Sequence, residues 1–227
     1  LVMRLRFLHR TGQLLLVISW VIGGLGCTFG PGPTGPPIVL LHENREGSSV
    51  PLDAGVSVLM VGGHHEMGRD EEFLARWLPE LVPLGYRTLA LEIPRSYQSL
   101  VDAYLDGQGR VSTTLLFQMI FQEDFPKLLD VAARLDMRVL CYESMETFAP
   151  WAPLSRRDRI SFETICREGI GTDPQGKVVV FCGALHLRDG IWYSHLLERP
   201  ERCLGHYMAE FFGPELVRVD LSRLSGR

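Results

Sequence analysis

Residues 177–186 have the sequence Lys-Val-Val-Val-Phe-Cys-Gly-Ala-Leu-His, and this stretch decides the fold class. The first part is rich in β-branched and aromatic residues and is apolar on both faces. That pattern is typical of a strand buried inside a parallel sheet. Gly183 ends the predicted strand and His186 follows it closely. Such a sheet needs helices on both of its faces.

Further apolar runs alternate with helical patterns along the chain. Strands are predicted at residues 56–61, 87–92, 137–142 and 216–221, and an extra edge strand at 38–41. Helices are predicted at residues 69–84, 98–105, 113–121, 125–135, 158–168 and 200–212. Strands separated by helices predict a single α/β domain with a mainly parallel sheet and helices on both faces. Ligands of such sheets bind at the carboxyl ends of the strands.

The composition agrees with a globular domain and argues against a nucleic-acid-binding protein. The chain has 227 residues, of which 46% are hydrophobic and 22% charged, so it can bury a core without metal or disulfide cross-links. Its formal net charge is −4, whereas a nucleic-acid-binding protein needs a basic face. We therefore expect no nucleic-acid partner.

The first 26 residues have the layout of a secretory signal peptide. Arg4, Arg6 and Arg10 precede an apolar stretch at 14–25. That stretch is shorter than the roughly 20 residues that a membrane-spanning helix needs. We therefore predict a signal peptide at 1–26, with an uncleaved N-terminal anchor as the alternative.

Cys27 resembles the lipidated cysteine of bacterial lipoproteins. Residues 27–50 begin with a Gly/Pro-rich segment that suits a tether, and residues 51–227 form the predicted α/β domain. We expect an exported protein of the bacterial cell envelope, attached to the membrane through a lipid on Cys27. The alternative is signal cleavage without lipidation.

Polar residues follow four of the predicted strands. The first strand runs into Gly62, Gly63, His64 and His65, the second ends at Glu92, the third at Glu143, and the fourth at Gly183 with His186 beyond it. Because the carboxyl ends of parallel strands share one edge of the sheet, these groups should gather at one rim. The sequence therefore predicts a site there.

Several of these residues also have structural interpretations. Glu92 could form a salt bridge with Arg87 or Arg95, Glu143 could be a solvated loop carboxylate, and His64 could be a packing residue. Arg157 lies in a charged run at a predicted helix start. Either the run is solvated, with Asp158 favouring the helix dipole, or an arginine faces the rim and binds an anionic group.

The motifs together resemble the Tiki/ChaN superfamily, which includes ChaN-type haem-binding lipoproteins, Tiki-type metal-dependent proteases, TraB-type proteins and erythromycin esterases. The matching segments are Gly-Gly-His-His at 62–65, Leu-Ala-Leu-Glu at 89–92, the helix led by Arg157, and Gly-Ala-Leu-His at 183–186. The first motif of the family is usually Gly-Glu-x-His, so Gly63 occupies the position of the expected acid.

The resemblance implies an exported ChaN-like lipoprotein that binds haem, iron or a divalent metal through His65, Glu92 and His186. It also implies a small-molecule or haem ligand contacted by Gly62, Gly63, His64, Glu143, Arg157 and Gly183, a membrane contact through the lipid anchor, and a homodimer. Tyr97 or Tyr142 could reach the iron. The alternatives are a metal-dependent hydrolase that uses His65, Glu92 and His186 as catalytic residues, a metal-free use of His65 as general base, and an anchored scaffold with a degenerate site.

Overall fold

The computed structural model describes residues 6–10, 13–17, 38–40, 50, 52, 54–64, 69–107, 125–144, 153–171, 173, 176–188, 191–194 and 199–221. In this part of the chain the strands are β1 (Arg6–Arg10), β2 (Gln13–Val17), β3 (Ile38–Leu40), β4 (Val58–Gly63), β5 (Tyr86–Pro94), β6 (Arg138–Glu143), β7 (Lys177–Gly183), β8 (Ile191–Ser194), β9 (Arg199–Arg202) and β10 (Leu216–Asp220). The α-helices are α1 (Arg69–Leu81), α2 (Gln98–Leu105), α3 (Phe125–Arg134), α4 (Leu154–Thr164) and α5 (Leu204–Phe212).

Six strands form one sheet in the order β3-β10-β4-β7-β5-β6, and every pairing in it is parallel. The predicted α/β class, the parallel sheet and the edge strand near residue 38 are therefore confirmed. Strands β1 and β2 pair with each other, as do β8 and β9, in separate antiparallel sheets.

The central strands are buried on both faces, which explains their continuous apolar sequences. Along β4, Leu59 and Val61 pack in a core with α1, α2 and α3. Val58 and Met60 point to the other face and pack in a second core with α5. This alternation follows from the two-residue period of a strand, and it places α4 and α5 on the sheet face opposite α1.

A side chain covers part of the outer edge of β6. Gln98 Nε2 donates to the carbonyl of Val139 (2.9 Å), and Gln98 Oε1 accepts the N–H of Cys141 (2.8 Å). The amide thus makes the hydrogen bonds that a neighbouring strand would make, which fixes the edge of the strand that ends at Glu143.

Two predicted helices differ from the structure. Helix α4 begins at Leu154, before the charged run, and continues into a π-helix at Ile165–Ile170. The predicted helix at 200–212 begins only at Leu204, because the segment before it pairs as β9 with a strand that the sequence did not reveal. The predicted helix at 113–121 lies outside the described residues.

The structure leaves the N-terminal predictions untested. Cys27 and most of the proposed signal peptide and tether lie outside the described residues. Where the chain is described, none of its helices has the length and apolar character to cross a bilayer.

Candidate functional site

The carboxyl ends of three adjacent strands bring together a group of ionisable side chains. Glu92 is near the end of β5, Glu143 ends β6, and His186 lies in a short 3-10 turn, Ala184–Leu187, that follows β7. Because β5 lies between β7 and β6 in the sheet, Glu92 lies between the other two strand ends. Arg157 and Asp158 join them from α4. We call these five residues the rim cluster.

Arg157 connects the two glutamates. Its Nη2 donates a hydrogen bond to Glu92 Oε1, and its Nε lies 2.6 Å from Glu143 Oε1. The contact with Glu143 is an ion pair without hydrogen-bond alignment, since Oε1 has no hydrogen-bond partner among the described residues. Burial alone would lower the pKa of Arg157, but the charges of Glu92 and Glu143 raise it. The guanidinium therefore stays charged.

His186 is held between two carboxylates. Its Nδ1 lies 2.8 Å from Asp158 Oδ2, and its Nε2 lies 3.3 Å from both Glu92 Oε1 and Arg157 Nη2. Burial would lower its pKa, but the charges of Glu92 and Asp158 and the hydrogen bonds to both raise it from 6.5 to about 10. At neutral pH the ring is therefore an imidazolium that donates from both nitrogens.

The pKa of Glu143 is raised for a different reason from that of His186. Its side chain is buried, and burial raises its pKa from 4.5 to about 7, although the charge of Arg157 opposes that rise. The nearby charge of Glu92 raises it further. Near neutral pH, Glu143 can therefore take up or release a proton while His186 keeps its own.

Backbone N–H groups hold the other two carboxylates. Gly183 N donates to Glu92 Oε2 at 2.8 Å, and Leu204 N at the start of α5 donates to Asp158 Oδ2 at 2.7 Å. The two hydrogen bonds hold Glu92 and Asp158 on either side of the His186 ring.

The structure corrects three interpretations from the sequence. Glu92 pairs with Arg157, whereas Arg95 pairs with Glu168, and Glu143 is buried instead of solvated. Asp158 is 1% exposed, so it is not a solvated residue at the helix start. Arg157 does face the rim, where it pairs with the carboxylates of Glu92 and Glu143.

His64, directly after β4, does not pack in the interior as the sequence predicted. His64 is exposed, and its backbone N–H donates to Asp70 Oδ2 in α1. A Cβ at Gly63 would lie 2.7 Å from that same oxygen, so the missing side chain leaves room for Asp70. A Cβ at Gly62 would likewise lie too close to the side chain of Leu187. His65 lies outside the described residues, so its predicted convergence with Glu92 and His186 stays a prediction.

Asp158 was not recognised as a site residue from the sequence. It lies between two arginines, which is the usual setting of a solvated residue. The available signal was its spacing: Asp158, Ser161, Phe162 and Ile165 follow the i, i+3, i+4, i+7 pattern of one helix face. All but Phe162, which is half-buried, are buried in the structure.

The described members of the predicted ligand set do not fit a divalent metal in this arrangement. An imidazole must be neutral to coordinate a metal, whereas His186 has a raised pKa and a guanidinium 3.3 Å from its Nε2. Among the described residues, no group of three or more His, Cys, Asp or Glu is arranged to hold a metal ion. Tyr142 is buried and its hydroxyl donates to the carbonyl of Phe181, so it does not point to a ligand at the rim.

Comparisons with known proteins place the fold among bacterial toxin domains. One structure, described as a bacterial protein toxin, superposes with a TM-score of 0.55 at 16% identity, covering 74% of this chain and 34% of that one. RRSP, a MARTX toxin effector domain from Vibrio vulnificus, gives a TM-score of 0.51 at 20% identity, covering 67% and 32%. This chain thus spans about a third of the length of either structure, and the similarity concerns the fold.

ChaN of Campylobacter jejuni, described as binding haem cofacially, is also similar, with a TM-score of 0.44 and 11% identity over 74% of this chain and 82% of ChaN. No family model matches the chain, and no curated protein matches it. The fold is therefore one that bacterial toxin domains also have, and membership of the Tiki/ChaN superfamily stays a prediction.

Proposed function

We propose that the rim cluster is the active site of a metal-independent hydrolase that cleaves ester or amide bonds. The observation that carries the proposal is the convergence of a buried carboxylate, Glu143, and a buried imidazolium, His186, at one rim: Arg157 pairs with Glu143, and Glu92 pairs with both Arg157 and His186. Hydrolysis needs a base that activates water and an acid that protonates the leaving group. Glu143, with a pKa of about 7, can be ionised and act as the base at a pH where His186, with a pKa of about 10, is still protonated and can act as the acid.

In this proposal Glu143 accepts a proton from the attacking water as the new bond to the acyl carbon forms. His186 then donates a proton to the leaving oxygen or nitrogen, which departs as an alcohol or amine. Arg157 has the most exposed side chain of the rim cluster, at 25% against 9% for Glu92, and its charge suits the oxyanion that develops on the acyl group. Asp158 and Glu92 stabilise the imidazolium.

The haem-binding reading, with iron or a divalent metal held by His65, Glu92 and His186, is the competing proposal. It has support from the motifs that resemble ChaN-type lipoproteins. In the described structure Glu92 pairs with Arg157, and His186 pairs with Asp158 and Glu92. Haem or a metal would have to displace these contacts, and the hydrolase proposal likewise requires His186 Nε2 to exchange Glu92 for the leaving group. Export, lipid attachment at Cys27 and a homodimer also remain proposals.

One set of measurements tests both readings on the same purified protein. Hydrolysis of p-nitrophenyl acetate and of a fluorogenic peptide library is measured with and without a chelator, and haemin is titrated in parallel. The proposal predicts hydrolysis that survives the chelator and falls about 100-fold or more in Glu143→Gln and His186→Gln. Glu163→Gln, an exposed glutamate, and His206→Gln, a buried histidine outside the rim cluster, are the matched controls.

Equal activity in the rim variants and the controls would refute the proposal. So would hydrolysis that disappears with the chelator, which would favour the metal-dependent hydrolase. Tight haemin binding that His65→Ala or His186→Gln abolishes, without hydrolysis of any substrate, would favour the haem-binding protein.

A further inference from the structure

An arginine is buried beneath the turn that carries His186. Arg218 in β10 is 1% exposed, and it lies on the sheet face that packs against α5, between Leu216 and Asp220. Its Nη1 donates to the carbonyl of Leu187 at 3.0 Å, and Leu187 directly follows His186. A buried charge is unfavourable unless polar partners compensate it. An apolar side chain would pack against the neighbouring core without that cost, so the contact with the turn is a feature that the arginine specifically provides.

The same carbonyl is also contacted closely by α5. A Cβ at Gly205 would lie 2.3 Å from Leu187 O and 2.5 Å from its carbonyl carbon. Both are far shorter than real Cβ contacts, so any larger residue at 205 must displace the backbone of the turn. The preceding residue, Leu204, donates to the Asp158 oxygen that also faces His186 Nδ1. The start of α5 and Arg218 therefore both act on the His186 turn.

We infer that Arg218 is a positioning residue for His186, holding the Ala184–Leu187 turn so that the imidazole meets Asp158 and Glu92. Arg218 acts through the backbone of Leu187. The consequence for catalysis rests on the proposed function, but the consequence for the geometry of His186 does not.

The test is a nuclear magnetic resonance titration of the histidine rings in the full-length protein. His186 is assigned by the signal that is missing in His186→Gln, and its titration is compared in Arg218→Met, Arg218→Lys and Gly205→Ala. Arg159→Met, which removes an exposed arginine of α4, is the control. In Arg218→Met and Gly205→Ala we expect the protonation constant of His186 to fall at least tenfold, since the ring moves away from its carboxylates. Arg218→Lys restores a donor and should recover part of that loss, while Arg159→Met should change nothing.

The inference is wrong if Arg218→Met is folded and its His186 titrates as in the wild type, or if Arg218→Lys recovers nothing. If Arg218→Met does not fold, Gly205→Ala and Arg218→Lys decide. An unchanged His186 in both would overturn the inference. Because the titration needs no substrate, it gives its answer even if the protein hydrolyses nothing.

Discussion

Replacing Asp158 with asparagine should remove the charge beside His186 while keeping the size of the side chain. Asp158 is buried, and its Oδ2 lies 2.8 Å from His186 Nδ1. A His186 pKa of about 10, against an ordinary 6.5, corresponds to about 5 kcal/mol in favour of the imidazolium. Asp158 and Glu92 share that effect, so Asp158→Asn should lose about 2–3 kcal/mol of the free energy of unfolding at pH 7.

The stabilisation that His186 provides depends on pH. Because the pKa of His186 is raised in the folded protein, its stabilisation is fully present below about pH 6.5 and is lost as the pH rises through about 10. The difference between the wild type and Asp158→Asn should therefore be large at pH 7 and shrink above pH 10.

Guanidinium chloride unfolding at pH 7 and above pH 10 measures this difference in the free energy of unfolding. Asp102→Asn makes the same chemical change at an exposed position on α2 and should stay within about 0.5 kcal/mol of the wild type. The reasoning fails if Asp158→Asn is as stable as Asp102→Asn at pH 7, or if its loss is the same at both pH values.

Three further changes have expected results. The pKa of Glu143 is raised from 4.5 to about 7, so the wild type should lose up to about 3 kcal/mol of its free energy of unfolding as the pH rises from about 4.5 to 7. Glu143→Gln should not show this loss in unfolding experiments. A pH profile like that of the wild type would contradict the raised pKa. Gly63→Ala puts a Cβ within 2.8 Å of the Asp70 side chain, so it should cost about 1–3 kcal/mol in thermal or denaturant unfolding, whereas Gly169→Ala, where the nearest atom is 3.5 Å away, should cost little; similar losses in both would argue against the close approach of Asp70. If Cys27 carries a lipid, Cys27→Ser should move the protein from the membrane to the soluble fraction, and unchanged fractionation would exclude lipid anchoring.

The sheet was predictable because its strands are buried on both faces. A strand such as Lys177–Gly183 is buried at every position after Lys177 and must be apolar there, so its sequence pattern can be recognised without knowledge of the neighbouring strands. The start of α4 was not predictable in the same way. Its first turns carry Arg156, Arg157, Asp158 and Arg159, and charged residues give no apolar period from which a helix start can be read.

The sequence predicted that Glu92, Glu143 and His186 lie at one rim of the sheet, but it predicted their contacts only in part. Glu92 and His186 could be placed together because both follow parallel strands, and the structure brings them to 3.3 Å. The partner of Glu92 was not predictable, since Arg157 is distant in sequence and reaches it only once α4 packs on the sheet. The raised pKa of His186 depends on Asp158 as well, which strand-end reasoning does not include.

The pH dependence of hydrolysis in the presence of a chelator tests the proposed active site most directly. Glu143 must be ionised to act as the base and His186 must be protonated to act as the acid. With the pKa of Glu143 raised to about 7 and that of His186 to about 10, kcat/KM should rise through about pH 7, stay high, and fall through about pH 10. A profile that is flat across this range, or one that is highest below pH 6, would contradict the assignment of both groups.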